Sequence, residues 1–345
     1  MKQEDIDKMY MRRCLQLAAN GLGRVRPNPL VGCVVVSQDE SGKMRVVSEG
    51  YHQEYGHNHA ERNALLRKEE LGMRDEELCG ASSNSSFLTP HSTLYVNLEP
   101  CSHHGKTPPC ADLIIEKGIK RVVCCNDDPN PLVAGRGFAK LEAAGIEVVR
   151  HVLEEEGRRL NRRFFTYMEQ CRPYIILKWA QSADGFLAPG TPGPYWLSTP
   201  RQNRLNHRWR TEEAAILVGS ETYLRDRPSL TARHFLGPHP LPVVLDRRGR
   251  IPVGTQRAAS AEGMPTADTA RSVPTILRSQ TIEEALHELY EHKVQSVIVE
   301  GGRQVLDAFL ESGLYDEVRI LRSPLRLEKG LPAPDVPQGV DIQWF

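Results

Sequence analysis

The chain has 345 residues, more than a single hydrophobic core usually supports, so we expect two domains. Its 44 basic and 44 acidic residues cancel, which argues against a protein whose overall charge attracts a polyanion such as nucleic acid. No apolar run reaches the ~20 residues of a membrane span, and the first residues lack the apolar core of a signal peptide.

The first 150 residues alternate helix-like and strand-like patterns. Apolar residues recur at helical spacing over residues 5–20, and residues 31–36 form a continuous apolar run typical of a strand covered on both faces. The same patterns predict helices over 60–71, 111–117 and 137–144, and strands over 93–98, 121–125 and 146–150. The prediction is an α/β domain with a serine-rich surface loop at 74–93.

A second set of elements follows a charged helical segment over residues 153–170, which ends at Arg172-Pro173. We therefore predict a first domain over 1–150, a helical linker over 151–172 and a second domain over 173–345. The second domain is again predicted as α/β, with a surface excursion at 253–275. Its predicted strands are 174–179, 214–218, 242–245 and 296–300, and its predicted helices are 282–291 and 304–311.

The most specific chemical signal is His59-Ala60-Glu61, followed by Pro100-Cys101 and Pro109-Cys110. A hydrolytic zinc site has three protein ligands and keeps a fourth position for water, and one imidazole with two thiolates meets that requirement. A carboxylate two residues after the histidine can carry protons without binding the metal. This pattern is the signature of zinc deaminases, so we predict His59, Cys101 and Cys110 as ligands and Glu61 as the catalytic residue.

The cysteine spacing differs from the usual Pro-Cys-x-x-Cys, because eight residues separate Cys101 from Cys110. The inserted loop carries His103, His104 and Lys106, which suit an anionic substrate. A structural zinc site remains an alternative, since His57 or His103 can supply the fourth ligand that closes such a site.

The run Leu98-Glu99-Pro100-Cys101-Ser102-His103-His104-Gly105-Lys106-Thr107-Pro108-Pro109-Cys110 resembles the bifunctional deaminase–reductase family of riboflavin biosynthesis. Further matches are Pro27-Asn28-Pro29-Leu30-Val31-Gly32, Gly50-Tyr51-His52 and Asp128-Pro129-Asn130-Pro131, and the resemblance extends from about residue 8 to about residue 323. It implies a cytidine-deaminase-like α/β sandwich followed by a dihydrofolate-reductase-like α/β domain. It also implies zinc-dependent removal of the 2-amino group of a diamino-pyrimidinone carrying ribosylamine phosphate, then NADPH-dependent reduction of the ribosyl group.

The resemblance implies which residues line the two sites. The deaminase pocket would contain Asn28, His52, His103, Lys106, Asp128 and Asn130. In the second domain, the phosphorylated substrate would contact Arg210, Leu230, Arg233 and Glu300. The cofactor NADPH would contact Ala180, Trp196, Thr222, Asp226, Arg247 and the turn that begins at Gly302. Two arginines suit a phosphate because guanidinium groups donate in pairs, and Arg247 favours a 2′-phosphorylated cofactor.

Two further alternatives concern activity. A deaminase acting on tRNA or single-stranded DNA would share the zinc motif, but the neutral charge, the long inter-cysteine loop and the second domain argue against it. The second domain could also be a degenerate reductase, because Arg227 and the segment 321–326 depart from the family pattern and the chain stops early, at Phe345.

The cysteines indicate the compartment. Eight cysteines are too few for a disulfide framework, and several lie in apolar runs where core packing explains them, so we expect a reducing compartment, the cytoplasm. We expect zinc and NADPH as cofactors, a small phosphorylated pyrimidine as substrate and a homo-oligomer as the assembly. Nucleic acid and membrane are not expected as partners.

Overall fold

The computed structural model describes residues 2–38, 42–66, 91–103, 108–131, 133–191, 195–252, 274–338, 340 and 342–345. The chain divides into two compact units, Met1–Glu169 (unit 1) and Gln170–Phe345 (unit 2). Among the described residues, none of the helices combines the length and apolar character that crossing a membrane demands.

Unit 1 contains five strands and six helices in its described residues. In chain order they are α1 (Gln3–Ala19), β1 (Gly32–Gln38), β2 (Met44–Tyr51), α2 (Ala60–Leu65), β3 (Thr93–Leu98), α3 (Cys110–Glu116), β4 (Arg121–Asn126), α4 (Arg136–Ala143), β5 (Glu147–Val149), α5 (Glu154–Leu160) and α6 (Arg162–Gln170). The sheet has the order β2-β1-β3-β4-β5. Strand β1 pairs antiparallel with β2 and β3, whereas β3, β4 and β5 run parallel.

Helices cover both faces of this sheet because its central strands are apolar on both sides. In β1, Cys33 and Val35 pack against α2, α3 and α4, while Val34 and Val36 pack against α1 on the opposite face. The same alternation occurs in β4, where Val122 and Val123 face opposite sides. The α/β sandwich predicted for the first domain is therefore confirmed.

Unit 2 contains nine strands and four helices in its described residues. They are β6 (Tyr174–Gln181), β7 (Phe186–Pro189), α7 (Pro200–Glu212), β8 (Ala215–Gly219), α8 (Ser220–Asp226), β9 (Leu241–Leu245), β10 (Thr275–Leu277), α9 (Ile282–Glu291), β11 (Ser296–Val299), α10 (Arg303–Ser312), β12 (Glu317–Arg322), β13 (Gly330–Pro332) and β14 (Ile342–Trp344). Seven strands form one sheet in the order β10-β9-β8-β11-β6-β12-β14, and β7 pairs with β13.

All neighbouring strands of the seven-stranded sheet run parallel. One face packs against α9 and α10, and the other packs against Trp209 of α7 and Tyr223 of α8. The α/β architecture predicted for the second domain is thus confirmed. In a parallel sheet of this kind, ligands bind beyond the carboxyl ends of the strands, which here include the ends of β6, β8 and β11.

Several elements differ from the sequence-based expectations. The segment predicted as a linker over 151–172 contains α5 and α6, which pack on unit 1: Phe164 and Phe165 of α6 bury against Leu98. The patterns missed β2, whose residues are mostly half-exposed at the sheet edge, and the polar helix α7. Most of the predicted loop at 74–93 and of the excursion at 253–275 lies outside the described residues.

A buried ion pair ties α1 to the sheet of unit 1. Asp7 accepts two hydrogen bonds from the Arg121 guanidinium, at 2.9 and 2.8 Å, and a third from the Tyr95 hydroxyl at 2.9 Å. The side chains of Asp7 and Arg121 are only 6% and 18% exposed. Because burial would otherwise raise the pKa of Asp7, the fact that its pKa is lowered shows that these partners outweigh desolvation.

Replacing Arg121 with Leu should destabilise unit 1 by about 3 kcal/mol, because it leaves the buried Asp7 carboxylate without its cationic partner. Urea unfolding followed by circular dichroism should show an earlier transition. Tryptophan fluorescence should not change, since all four tryptophans, at 179, 196, 209 and 344, lie in unit 2. The control is Lys8→Ala, which removes the exposed Lys8–Glu4 pair and should cost less than about 0.5 kcal/mol. Equal effects of the two substitutions would contradict this role of the buried pair.

Candidate functional site

His59, Cys101 and Cys110 come from three separate segments and meet in unit 1. His59 directly precedes α2, Cys101 lies three residues after the end of β3, and Cys110 is the first residue of α3. Their ligand atoms all lie within 4.8 Å of one another. His59 Nδ1 is 3.7 Å from Cys101 Sγ and 3.5 Å from Cys110 Sγ. Nitrogen and sulfur ligands of a tetrahedral zinc lie about 3.6 Å apart, so the three side chains fit that ion.

The two cysteines are arranged to stabilise negative charge. The backbone N–H of Cys110 donates to Cys101 Sγ at 3.3 Å. Hydrogen bonding from the Cys110 thiol, together with His59, lowers the pKa of Cys101 to about 4. Cys101 is therefore a thiolate at neutral pH, which is the form that binds a metal.

A close approach between α2 and β2 sets the position of His59. At Gly50 of β2, a Cβ atom would lie 2.6 Å from both the carbonyl oxygen of Ala60 and the backbone nitrogen of Ala64. Only glycine leaves room for the helix backbone at that distance. Helix α2 therefore packs directly on the strand, and this contact holds both His59 and Glu61 at the end of the sheet.

Glu61 lies beside the ligand group without belonging to it. Its side chain is buried, close to His59 and Cys110. Burial raises the pKa of Glu61 to about 7. A carboxyl group with a pKa near neutrality can both accept and release a proton at the working pH, as a general acid–base requires.

The structure also bears on whether the zinc site is closed. Within the described part of the chain, the group that can hold a metal consists of the three predicted ligands. His57 and His103, the candidates for a fourth ligand, are both exposed, and His57 lies 3.9 Å from Glu54. Among the described residues, therefore, three protein ligands meet and no fourth joins them, which is the arrangement of catalytic rather than structural zinc sites.

Asn28 and His52 form one wall next to the ligands. The His52 ring lies 5.4 Å from the His59 ring, centroid to centroid. His52 Nδ1 is 3.0 Å from the carbonyl oxygen of Asn58, so this nitrogen donates and Nε2 accepts from Asn28 Nδ2, also at 3.0 Å. Burial lowers the pKa of His52, which keeps its ring neutral. The fixed tautomer leaves the Asn28 amide oxygen as an acceptor for a ligand.

Two buried asparagines hold the segment that carries Asn28. Leu30 donates its N–H to Asn161 Oδ1 at 2.8 Å, and its carbonyl oxygen accepts from Asn97 and Asn161 at 2.9 Å each. Gly32 donates to Asn97 Oδ1 at 2.7 Å. Asn161 lies between α5 and α6, so the segment predicted as a linker helps to position the pocket of unit 1.

Asp128 and Asn130 lie on a turn after β4. Asp128 Oδ1 accepts the N–H of Asn130 at 2.8 Å, which fixes the turn. Asp128 is buried, and burial raises its pKa to about 6. The Asp128 N–H donates to Glu99, which lies two residues before Cys101 in the chain.

Glu99 organises this turn and is a residue that the sequence reasoning missed. Its carboxylate accepts the N–H groups of Asp128, Gly135, Gly137 and Phe138, at 3.4, 3.0, 2.9 and 3.4 Å. It thereby caps α4, whose preceding residue Gly135 offers no capping side chain. A Cβ at Gly137 would lie 2.0 Å from the Pro100 carbonyl oxygen, so glycine is required there. The signal was present as an acidic residue directly before Pro100-Cys101.

The other two predicted deaminase residues lie on the inter-cysteine loop. His103 is exposed, and Lys106 lies outside the described residues. Eight of the predicted metal, catalytic and pocket residues lie outside this loop. Seven of them form one group around the predicted zinc site: His59, Glu61, Cys101, Cys110, Asn28, His52 and Asp128.

A second group of charged residues lies in unit 2, at the carboxyl ends of β6 and β11. Glu300 accepts from Arg210 Nε at 2.7 Å and from Nη2 at 2.8 Å, and Lys178 Nζ is 3.7 Å from its carboxylate. Burial would raise the pKa of Glu300, but Arg210 and Lys178 outweigh it and hold the pKa at about 2. Burial lowers the pKa of Lys178. Lys178 was missed, although it is the lone charged residue in an apolar strand.

Arg210, which the sequence predicted to bind a phosphate, already donates hydrogen bonds from its guanidinium group to other protein groups. Besides its two bonds to Glu300, Arg210 donates from Nη1 to the Thr231 carbonyl oxygen at 2.8 Å. Its paired donors therefore face a carboxylate, contrary to the expectation that they are available to an anion. Arg233 is exposed and hydrogen-bonds Ser229, whereas Leu230, three residues before Arg233, is buried.

The predicted cofactor residues are brought together only in part. Gly302 directly precedes α10, and a Cβ there would lie 2.9 Å from Thr222 Oγ1, so these two residues are neighbours. Ala180 packs at the edge of the core beneath α7. Asp226 is exposed and lies one helical turn after Thr222 on α8. Trp196 and Arg247 are also exposed, and no hydrogen bond among the described residues links them to Thr222 or Gly302.

Comparisons with known families divide the chain in the same way. Residues 4–126 match the family described as the cytidine and deoxycytidylate deaminase zinc-binding region. Residues 173–335 match the RibD C-terminal domain. The first match contains all three metal ligands, and the second contains the Lys178, Arg210 and Glu300 group.

Full-length relatives are also similar. The riboflavin biosynthesis protein RibD of Aquifex aeolicus is 39% identical over 96% of this chain and 91% of its own length. That of Actinobacillus pleuropneumoniae is 38% identical over 98% and 88%. A Thermotoga maritima structure, a diaminohydroxyphosphoribosylaminopyrimidine deaminase/5-amino-6-(5-phosphoribosylamino)uracil reductase, has a TM-score of 0.77 at 36% identity and covers 96% of this chain and 90% of its own. Acinetobacter baumannii RibD has a TM-score of 0.79 at 31% identity, covering 98% and 93%.

Replacing Cys110 with Ser should remove a metal ligand and lower zinc content to a small fraction of the unmutated level after dialysis. Cys124→Ser is the matched control, because Cys124 is also buried in unit 1 but lies in β4 and donates to the Asn126 carbonyl oxygen. Zinc measured by atomic emission should be lost in the first variant and kept in the second. Undiminished zinc in Cys110→Ser would exclude Cys110 as a ligand.

Proposed function

Because this chain belongs to the RibD family of riboflavin biosynthesis, whose members join a deaminase and a reductase, we propose the following assignment of reactions to its two units. Unit 1 hydrolyses the 2-amino group of 2,5-diamino-6-ribosylamino-4(3H)-pyrimidinone 5′-phosphate. Unit 2 then reduces the ribosyl group of the deaminated product to ribityl with NADPH. The observation that carries the proposal is the three-ligand site beside a buried carboxyl in unit 1, followed by a reductase domain in the same chain.

Glu61 is the proton carrier of the deamination. Bound zinc would supply Lewis-acid activation of water near neutral pH through His59, Cys101 and Cys110. The Glu61 carboxyl lies next to the ligands, so it can take a proton from the attacking water and deliver it to the leaving amine. Asn28, His52, Asp128 and Asn130, with His103 and Lys106 from the inter-cysteine loop, bind and orient the pyrimidine and its ribose phosphate.

The reduction uses the group at the ends of β6 and β11. Thr222 and Gly302 would hold NADPH, which would supply the hydride, and the opening of the ribosyl ring also consumes one proton. Lys178 is a buried ammonium group next to Glu300, so it can donate that proton. Arg233 binds the substrate phosphate, while Arg210 fixes Glu300. The remaining predicted cofactor contacts, Ala180, Trp196, Asp226 and Arg247, bind the rest of NADPH.

The substrate is a small phosphorylated pyrimidine rather than a nucleic acid. Support comes from the formal net charge of zero and from the match of residues 173–335 to a reductase domain, which a tRNA deaminase does not need. We infer a cytoplasmic location from the free cysteines described in the structure, which suit a reducing compartment. We also infer a homo-oligomer, which sedimentation of the purified protein would test.

Glu61→Gln should lower deamination about a hundred- to ten-thousandfold, because glutamine keeps the shape of the side chain but cannot accept or release a proton near neutral pH. Zinc content should stay unchanged, since Glu61 is not a ligand. The reductase activity of the same variant is the control. With 5-amino-6-(5-phosphoribosylamino)uracil and NADPH, the variant should oxidise NADPH at the rate of the unmutated protein. Near-normal release of ammonia from the diamino substrate would refute the role of Glu61.

Arg233→Ala should raise the KM of the reductase for the deaminated substrate roughly tenfold, because a charge-assisted contact to the phosphate is lost. Arg201→Ala, at an exposed position of α7, is the matched control and should leave KM unchanged. NADPH oxidation and deamination are measured separately, and deamination should be the same in both variants. An unaltered KM in Arg233→Ala would make this residue an ordinary surface arginine.

A further inference from the structure

A histidine fastens the loop that carries Arg233 to itself. This loop, residues 227–240, connects α8 to β9, and its residues, all of them described, form neither helix nor strand. His239 Nδ1 accepts the backbone N–H of Ala232 at 3.1 Å. Because a backbone N–H only donates, this nitrogen carries no proton and the ring presents its lone pair to the chain. The residue directly before Arg233 is thus held in place.

Helix α7 holds the other side of Arg233. His207, on this helix, is 2% exposed, and its Nδ1 accepts the backbone N–H of His234 at 3.5 Å. The two rings also pack edge to face, with their centroids 4.6 Å apart. Burial lowers the pKa of His207 to about 4, so the ring is neutral and can accept a hydrogen bond.

Arg210 joins the same loop to the Glu300 carboxylate. Its Nη1 donates to the carbonyl oxygen of Thr231 at 2.8 Å, while Nε and Nη2 donate to Glu300. Within residues 231–234, three backbone groups are therefore held by side chains. This segment has a fixed position relative to the candidate reductase site.

The Arg233 side chain itself is exposed and donates to the Ser229 hydroxyl of the same loop. A guanidinium has five N–H donors, so this contact leaves donors for an anion. Ordering a loop when a ligand binds costs free energy, and a loop that is already ordered avoids that cost. Holding the backbone on either side of Arg233 thus favours phosphate binding without any contact between the histidines and the substrate.

We propose that His207 and His239 are positioning residues of the reductase, which hold Arg233 where it meets the 5′-phosphate of the substrate. This inference rests on the proposed function of unit 2 and on the proposed phosphate contact of Arg233. Both histidines act through backbone N–H groups, so what matters is an acceptor at the position of Nδ1. Their effect should therefore appear only with a substrate that carries the phosphate.

The experiment measures NADPH oxidation by the full chain with 5-amino-6-(5-phosphoribosylamino)uracil and with the same compound lacking its phosphate. His207→Leu and His239→Leu remove the acceptor. Each should raise the KM for the phosphorylated substrate about three- to tenfold and leave kcat unchanged, because a hydrogen bond that orders Arg233 is lost. Neither should change the KM for the substrate without phosphate.

Further variants separate the acceptor from the packing of the ring. In His207→Asn and His239→Asn, the amide oxygen can take the place of Nδ1, so the KM for the phosphorylated substrate should stay close to that of the unmutated protein. His207→Ala and His239→Ala replace the leucine variants if leucine prevents folding. His287→Leu, at an exposed position of α9, is the matched control and should leave every KM unchanged.

A double variant tests the route through Arg233. In Arg233→Ala the phosphate contact is already absent, so adding His239→Leu should not raise the KM further.

The outcomes are distinct. If the leucine or alanine variants leave the KM unchanged, raise it equally with and without the phosphate, or add to the effect of Arg233→Ala, the histidines have only a structural role and the inference is overturned. Asparagine variants as impaired as the leucine variants would overturn it too. If Arg233→Ala alone has an unaltered KM, the phosphate contact fails and the inference with it. If the unmutated protein oxidises no NADPH, the reductase assignment itself fails.

Discussion

The structure of unit 1 depends on one geometric constraint: three ligand atoms from distant parts of the chain must meet at metal-binding distance. His59 and Cys101 are separated by 42 residues and Cys110 by a further nine, yet both sulfur–nitrogen distances suit a tetrahedral zinc. His59 and Cys110 lie at the starts of α2 and α3, and Cys101 lies in the segment that follows β3. This constraint explains the close packing at Gly50 and Gly137. At each of these positions, the absence of a Cβ lets a backbone segment that carries site residues approach the adjacent segment.

In unit 2, the main constraint is that several charged side chains are buried together. Lys178, Arg210 and Glu300 are each about a tenth exposed, so removing Glu300 leaves two cations out of water without a counter-charge. Two cations against one carboxylate leave the cluster with a net positive charge. That excess suits a phosphorylated substrate, although the paired donors of Arg210 are already used.

The sequence predicted the elements whose pattern is local. Strand β3 and helix α9 have the predicted bounds, because a continuous apolar run and a 3.6-residue periodicity need no tertiary information. Strand β2 escaped prediction since it lies at an edge and is only half-buried, and α7 did because its sequence is mostly polar. The zinc ligands were predictable from their residue types and order. Glu99 and Lys178 were not, because their partners lie 29 to 122 residues away in the chain, and contacts at that separation produce no local sequence pattern.

The cap that Glu99 places on α4 also orders events during folding. The helix has eight residues, too few to be stable alone, and its first N–H groups find their acceptor 36 to 39 residues earlier in the chain. Its helical state therefore awaits the docking of β3, which emerges from the ribosome first. Nascent chains halted before residue 136 would contain the strand without the helix, and only the synthesis of α4 would close the turn that carries Asp128.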